Sequence, residues 1–285
     1  MRSSTTILVE TPLLVAKNRK QDARATSDVR AATPPGIAYL SSFFATDEYL
    51  APDFAERKAR LCTDLGATEV FFFLHARGYA PYPSRYMPSF PHLREDLLQK
   101  LIEAHHRAGV RFFACWCAVN DFAEAWINRH PDWVQVNPDG SKGICLCYHG
   151  PARAAILGQV REVLARYAVD AIYLDQLPVA CFCEACRADY KARRGQPMPK
   201  VASAPWLGHG APVRIESGER IQDDAAMVRE LESFSEENLV AFLRDVRALI
   251  NELRPGTLLL VNKVWGHRCA TVRTYVDGYL PEVLW

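Results

Sequence analysis

Three thiols at C-x-C-x2-C spacing, in Cys181-Phe182-Cys183-Glu184-Ala185-Cys186, follow closely on an apolar run that ends in a carboxylate, Ile172-Tyr173-Leu174-Asp175. Thiolates this close in sequence converge on one tetrahedral zinc, and a zinc with a structural role takes four protein ligands. The fourth is best sought in Ile144-Cys145-Leu146-Cys147-Tyr148-His149-Gly150, where Cys147 leads and Cys145 and His149 compete. The rival reading makes these cysteines small buried hydrophobes. It suits Cys62, Cys115, Cys117 and Cys269, of which Cys62 lies on a helical face and Cys115 and Cys117 alternate along an apolar strand. It does not suit three thiols in a polar loop. A metal-pinned loop beside an acid of the active site is therefore expected, and a secreted disulfide scaffold is not expected at this chain length.

The bulk composition sets limits on partners. With 285 residues, 49% hydrophobic and 24% charged, the chain can bury a large core. A net charge of +1 offers no attraction to nucleic acid or to an anionic membrane, so neither is expected as a partner. No apolar run approaches the roughly 20 residues of a membrane span. The start lacks a continuous apolar core with a small-residue cleavage site, and a cytoplasmic location is expected. Residues 1–35 read as a partly disordered leader, loosest where Arg, Lys, Ser and Thr precede Pro34-Pro35.

From Gly36 to the end at residue 285 the chain alternates β-rich runs with helical patterns, the signature of βα units around a parallel sheet. Strands are expected at 37–44, 69–74, 110–117, 170–175, 257–261 and 276–280. They are nearly unalternated, as strands covered on both faces should be. Helical stripes lie between them, for example Leu97, Leu98, Leu101 and Ile102 before Gly109, and Leu239 through Leu253 before Pro255-Gly256. His105 and His106 fall on the first of these helices and are expected at the surface. No glycine-rich phosphate fingerprint follows the first strand, which disfavours a nucleotide-binding doubly wound sheet. A TIM-type (β/α) barrel fits better, and its site would lie at the C-terminal strand ends. The polar residues there are His75 and Arg77, Asn120 and Asp121, Asp175, Asn262 and Lys263, and Glu282, with Tyr79, Tyr82, Trp116 and Trp265 close by. Carboxylates, hydroxyl-binding side chains and flat aromatic faces together suit a carbohydrate substrate.

Several motifs, taken together, resemble the barrel domain of the group known as hypothetical glycosyl hydrolase 6. They are Gly78-Tyr79-Ala80-Pro81-Tyr82-Pro83-Ser84, His130-Pro131-Asp132-Trp133, Asn137-Pro138-Asp139-Gly140, Cys147 ahead of Pro151, Tyr173-Leu174-Asp175, and the cysteine motif with Arg187 and Tyr190. The cysteine arrangement is also similar to that of family 42 β-galactosidases, whose barrels hold a zinc by an upstream Cys and a C-x-C-x2-C loop. That resemblance implies Cys147, Cys181, Cys183 and Cys186 as ligands of a structural Zn2+. Those enzymes carry Asn-Glu at the end of the fourth strand, where this chain has Leu174-Asp175. The latter looks more like the α-fucosidases and α-galactosidases, whose nucleophile is an aspartate on strand four.

A glycosidase requires two carboxylates, about 5 to 5.5 Å apart in a retaining enzyme and wider apart in an inverting one. Strand-end position makes Asp175 the expected nucleophile and Glu282 the expected acid/base, while Asp170, at the other end of the same strand, reads as structural. His75, Tyr79, Trp116, Asn120, Asp121, Asn262 and Trp265 are the expected sugar contacts, on a galactose- or fucose-type sugar by analogy. Six strands fall short of eight, and closing a barrel would take about 60 more residues at roughly 30 per unit. The expected barrel is therefore incomplete, with exposed edges on its first and sixth strands that invite a homo-oligomer. The alternative function is a non-catalytic or vestigial carbohydrate-binding barrel. The segment 145–187 is read as the zinc loop, and 195–224, rich in Pro, Gly, Ser and Ala, as a long loop over the site.

Overall fold

The computed structural model describes residues 8–10, 37–41, 47–75, 78–117, 126–175, 181–201, 213–216, 219–222, 225–262 and 271–280. In chain order the strands are β1 (Leu8–Glu10), β2 (Ile37–Ser41), β3 (Ala67–Phe73), β4 (Arg111–Cys117), β5 (Val134–Val136), β6 (Lys142–Leu146), β7 (Ala171–Asp175), β8 (Val213–Glu216), β9 (Glu219–Gln222), β10 (Leu258–Asn262) and β11 (Gly278–Leu280). The longer helices are α1 (Phe54–Asp64), α2 (Leu97–Arg107), α3 (Ala152–Arg166), α4 (Glu184–Arg194) and α5 (Ala225–Leu253). The glycines that stop α1 and α2, Gly66 and Gly109, have φ of 70° and 74°, a left-handed turn that side chains resist and that leads directly into the next strand.

The main sheet has the order β1-β2-β3-β4-β7-β10-β11. From β2 to β11 every pairing is parallel and the strands follow one another in sequence order. A doubly wound sheet reverses its order at a switch point, whereas this one winds in a single direction, as a barrel does. The chain thus has the fold of an incomplete (β/α) barrel, and among the described residues the sheet does not close. One expectation is corrected at the edge. β1 pairs antiparallel with β2, so the outer edge of the first parallel strand is covered.

The two faces of the sheet differ. Val70, Phe72, Leu74, Phe112, Ala114, Trp116, Ile172, Leu174, Leu259 and Val261 share one core with the apolar stripes of the helices. The alternate positions, Phe71, Phe73, Phe113, Cys115, Cys117, Ala171, Tyr173 and Leu260, form a second cluster in which, among the described residues, no helical residue takes part. That is the sidedness of a barrel, with helices outside and layered strand side chains inside.

Two local expectations are corrected. His105 is fully buried, because it continues the Leu98, Leu101, Ile102 face of α2 one turn further. Its Nδ1 lies 2.7 Å from the Leu101 carbonyl and its ring meets Phe112 edge-on. His106, one residue on, points outward to Asp170, 2.8 Å away. The stretch 195–224 contains the antiparallel hairpin β8–β9, whose Val213-Arg214-Ile215-Glu216 alternation has the two-residue period of a strand. The hairpin β5–β6 was not foreseen either, although Asn137-Pro138-Asp139-Gly140 between two short apolar runs is a turn signature.

Candidate active site and metal centre

Asp175 is the last residue of β7, at the C-terminal edge of the parallel sheet. Its backbone pairs in register with Cys117 on β4. Its side chain belongs to the interior set, two residues beyond Tyr173. The carboxylate Oδ1 accepts a hydrogen bond from Asn262 Nδ2 at 2.8 Å and one from the Tyr173 hydroxyl at 3.3 Å. Asn262 closes β10 and is only 5% exposed. The Tyr173 ring is seated edge-on against Phe71, with centroids 5.2 Å apart. Burial first, then the negative charge of Asp175, pushes the Cys145 thiol up to about 11 and the Cys115 thiol well above the ordinary range. Both therefore stay protonated near the carboxylate.

Of the sequence-predicted site residues, the structure brings Asp175 and Asn262 into contact. His75 is fully buried and its ring packs against Trp116 and Trp126. Trp116 stands on the helix-facing side, where its Nε1 donates to Gln159 Oε1 of α3 at 2.8 Å. Tyr79 is half-buried against the helix-side core, and Tyr82 is fully buried beside Tyr167. Glu282, Asn120, Asp121, Trp265, Arg77, Lys263 and Cys269 lie outside the described residues. Asp170 accepts from the Phe112 N–H at 2.7 Å and from His106, tying the start of β7 to β4 and α2. Tyr173 was absent from the sequence-derived site. Its signal is its place two residues before Asp175, since a period of two puts both on one face.

The second assembly is a buried group of four thiols. The Sγ atoms of Cys147, Cys181, Cys183 and Cys186 all lie within 4.8 Å of one another. Cys147 and Cys186 are 3.6 Å apart, and Cys147 and Cys183 are 4.0 Å apart. A zinc with Zn–S bonds near 2.3 Å sets its ligand sulfurs about 3.8 Å apart, so the donor set fits such an ion. Backbone N–H groups of Val136, Gly150 and Cys183 point at the sulfurs, at 3.3, 3.2 and 3.4 Å, the support a thiolate needs. Hydrogen bonding with neighbouring sulfurs holds Cys147 and Cys186 above the ordinary thiol range and Cys181 and Cys183 below it. A cation in their midst would let all four ionise. Gly150 leaves them room, because a Cβ there would sit 3.3 Å from Cys147 Sγ.

The competitors for the fourth position are elsewhere. Cys145 belongs to the helix-side core. His149 is paired with Asp189 at 3.0 Å, while burial holds its imidazole below the ordinary range. The four thiols join the chain just after β6 to the turn that starts α4, and that turn begins six positions after Asp175. Phe182 N–H to the Val136 carbonyl and Cys147 N–H to the Trp133 carbonyl, both 2.8 Å, seat the same segments on the β5–β6 hairpin.

Residues 55–176 match the family described as Hypothetical glycosyl hydrolase 6. No curated protein matches the chain in sequence. Among solved structures, an alpha-L-fucosidase isoenzyme 2 from Paenibacillus thiaminolyticus is similar with a TM-score of 0.57 at 19% identity, over 73% of this chain and 29% of that one. A beta-galactosidase from the psychrophilic Marinomonas ef1 gives a TM-score of 0.60 at 14% identity, over 87% of this chain and 40% of its own. The beta-galactosidase of the Antarctic haloarchaeon Halorubrum lacusprofundi gives 0.55 at 18% identity, over 87% and 40%. At such identities the likeness is one of fold. The chain spans at most 40% of the length of these enzymes. Among the described residues no helix is long and apolar enough to cross a membrane.

Proposed function

We propose that this chain is a glycoside hydrolase barrel domain in which Asp175 is the nucleophile and Cys147, Cys181, Cys183 and Cys186 hold a structural zinc. The matched family and the fold neighbours support a glycosidase-type function. The observation that carries the reading is the Asp175 carboxylate at the C-terminal edge of a one-way parallel sheet, where barrel enzymes place their reacting groups. In this scheme the carboxylate attacks the anomeric carbon while a second carboxylic acid protonates the departing oxygen. Water, deprotonated by that second residue, then displaces Asp175 and releases the sugar. Glu282, just past β11, is proposed as the second carboxylate, and Asn120, Asp121 and Trp265 as sugar contacts from neighbouring strand ends. The buried positions of His75 and Trp116 support a role in the frame of the site instead. A galactose- or fucose-type sugar is proposed from the fold neighbours. The zinc, when bound, supplies no chemistry to the reaction and cross-links the segment that follows β7.

The test is hydrolysis of a panel of aryl galactosides and fucosides by the wild type and by Asp175→Asn. Turnover by the wild type that falls by about a thousandfold or more in the variant is expected. Sugar binding without turnover in either protein would replace this reading with a non-catalytic carbohydrate-binding barrel.

A further inference from the structure

The sheet interior changes character layer by layer. Phe71, Phe113, Ala171 and Leu258 lie in register, and the next layer is Phe73, Cys115, Tyr173 and Leu260. Above it come Cys117 and Asp175, with Asn262 one position past the Val261–Leu174 pair. The carboxylate thus stands on an apolar and aromatic floor, a setting that favours a protonated acid unless something opposes it.

Among the described residues, two donors that oppose it reach the same oxygen. Asn262 Nδ2 is 2.8 Å and Tyr173 OH 3.3 Å from Oδ1. An amide N–H and a phenol O–H stabilise a carboxylate, and neither is an acid that would surrender its proton at neutral pH. Both side chains spring from strand backbone, Tyr173 from β7 itself and Asn262 from its neighbour β10, so the donors are fixed in advance. Of the two thiols on β4 beneath and beside the carboxylate, Cys117 is in register with Asp175, and Cys115 is kept protonated by burial, followed by the Asp175 charge itself.

We propose that Tyr173 and Asn262 are positioning residues that orient the Asp175 carboxylate and keep it ionised, which makes Asp175 the nucleophile or base of its pair and excludes it as the proton donor. The inference rests on the reading of Asp175 as a reacting carboxylate. It also reassigns Asn262, which acts on the aspartate where the sequence had suggested the sugar.

The experiment follows the Asp175 side-chain carboxyl by carbon-13 NMR as pH is varied, the signal being identified by its loss in Asp175→Asn. Tyr173→Phe keeps the ring against Phe71 and removes only the hydroxyl, and Asn262→Leu removes the amide at nearly constant volume. Each variant is expected to move the titration midpoint up by about one pH unit. Midpoints within about 0.2 units of wild type in the folded variants overturn the proposal, and Tyr173→Phe decides the matter if Asn262→Leu does not fold. With a hydrolysable glycoside, kcat should fall about tenfold with KM nearly constant, and the acid limb should rise with the NMR midpoint. Because the titration needs no turnover, shifted midpoints in a protein that cleaves no glycoside support the positioning role and remove the glycosidase reading alone.

Discussion

The upper layer of the sheet interior and the four-thiol group are built in opposite ways. Around Asp175, the participating side chains come from β4, β7 and β10, distant in sequence and aligned by the hydrogen-bond register of parallel strands. Around Cys147, three of the four sulfurs come from six consecutive residues, and the backbone there is a hairpin, a turn and a helix start. Packing on both sheet faces sets the geometry of the first arrangement. The second gathers four sulfurs whose mutual crowding opposes ionisation, a crowding that a cation held among them would relieve. A site made from a sheet inherits the stability of the whole domain, whereas a site made from loops must bring its own cross-link.

That contrast can be broken most severely at the metal. One zinc per chain is expected by elemental analysis of protein purified without chelator, and Cys183→Ser should lower Tm on the order of 10 °C. A metal-free preparation with an unchanged melting curve would show that packing alone holds the thiols. Next in size is Trp116→Phe, which strands the Gln159 amide oxygen in the helix-side core. It should cost about 1 to 3 kcal/mol in denaturant unfolding and leave sugar binding untouched. Weakened sugar binding at equal stability would put Trp116 back in the site. Gly150→Ala presses a methyl toward Cys147 Sγ and should cost about 1 to 2 kcal/mol and weaken zinc retention in a chelator competition, with the Asp175 titration unmoved. A coupled change in that titration would mean the two regions communicate through the segment between them.

The smallest effect concerns pH. Burial holds the His105 imidazole below its ordinary value of 6.5, so the folded chain keeps it neutral where the unfolded chain binds a proton. Stability from this residue is complete above about pH 6.5 and is lost progressively as pH falls toward the depressed folded value. His149 is shifted in the same direction by burial and adds to the loss. Unfolding midpoints in urea should fall between pH 7 and pH 5, and the fall should be shallower in His105→Leu. An equal slope in that variant would assign the acid sensitivity elsewhere.

The legible features were local ones. All six parallel strands were readable as apolar runs, the C-x-C-x2-C motif declared a thiol group, and Asp175 stood visibly at the end of its run, because each of these signals lies within a few consecutive residues. What could not be read was which way each residue faces. A strand covered on both faces is apolar at every position, so Val70-Phe71-Phe72-Phe73 or Phe113-Ala114-Cys115-Trp116 carries no mark of inside and outside. The direction of winding settled that, sending Trp116 to the helices and Tyr173 to the carboxylate. Long-range register placed Asn262 on Asp175, and the fold of the β5–β6 hairpin brought Cys147, not Cys145, to the other three sulfurs. A spacing of two would set both cysteines on one face of a continuing strand, but β6 ends at Leu146, and only the packed structure shows that Cys145 stays in the helix-side core while Cys147 turns to the other sulfurs.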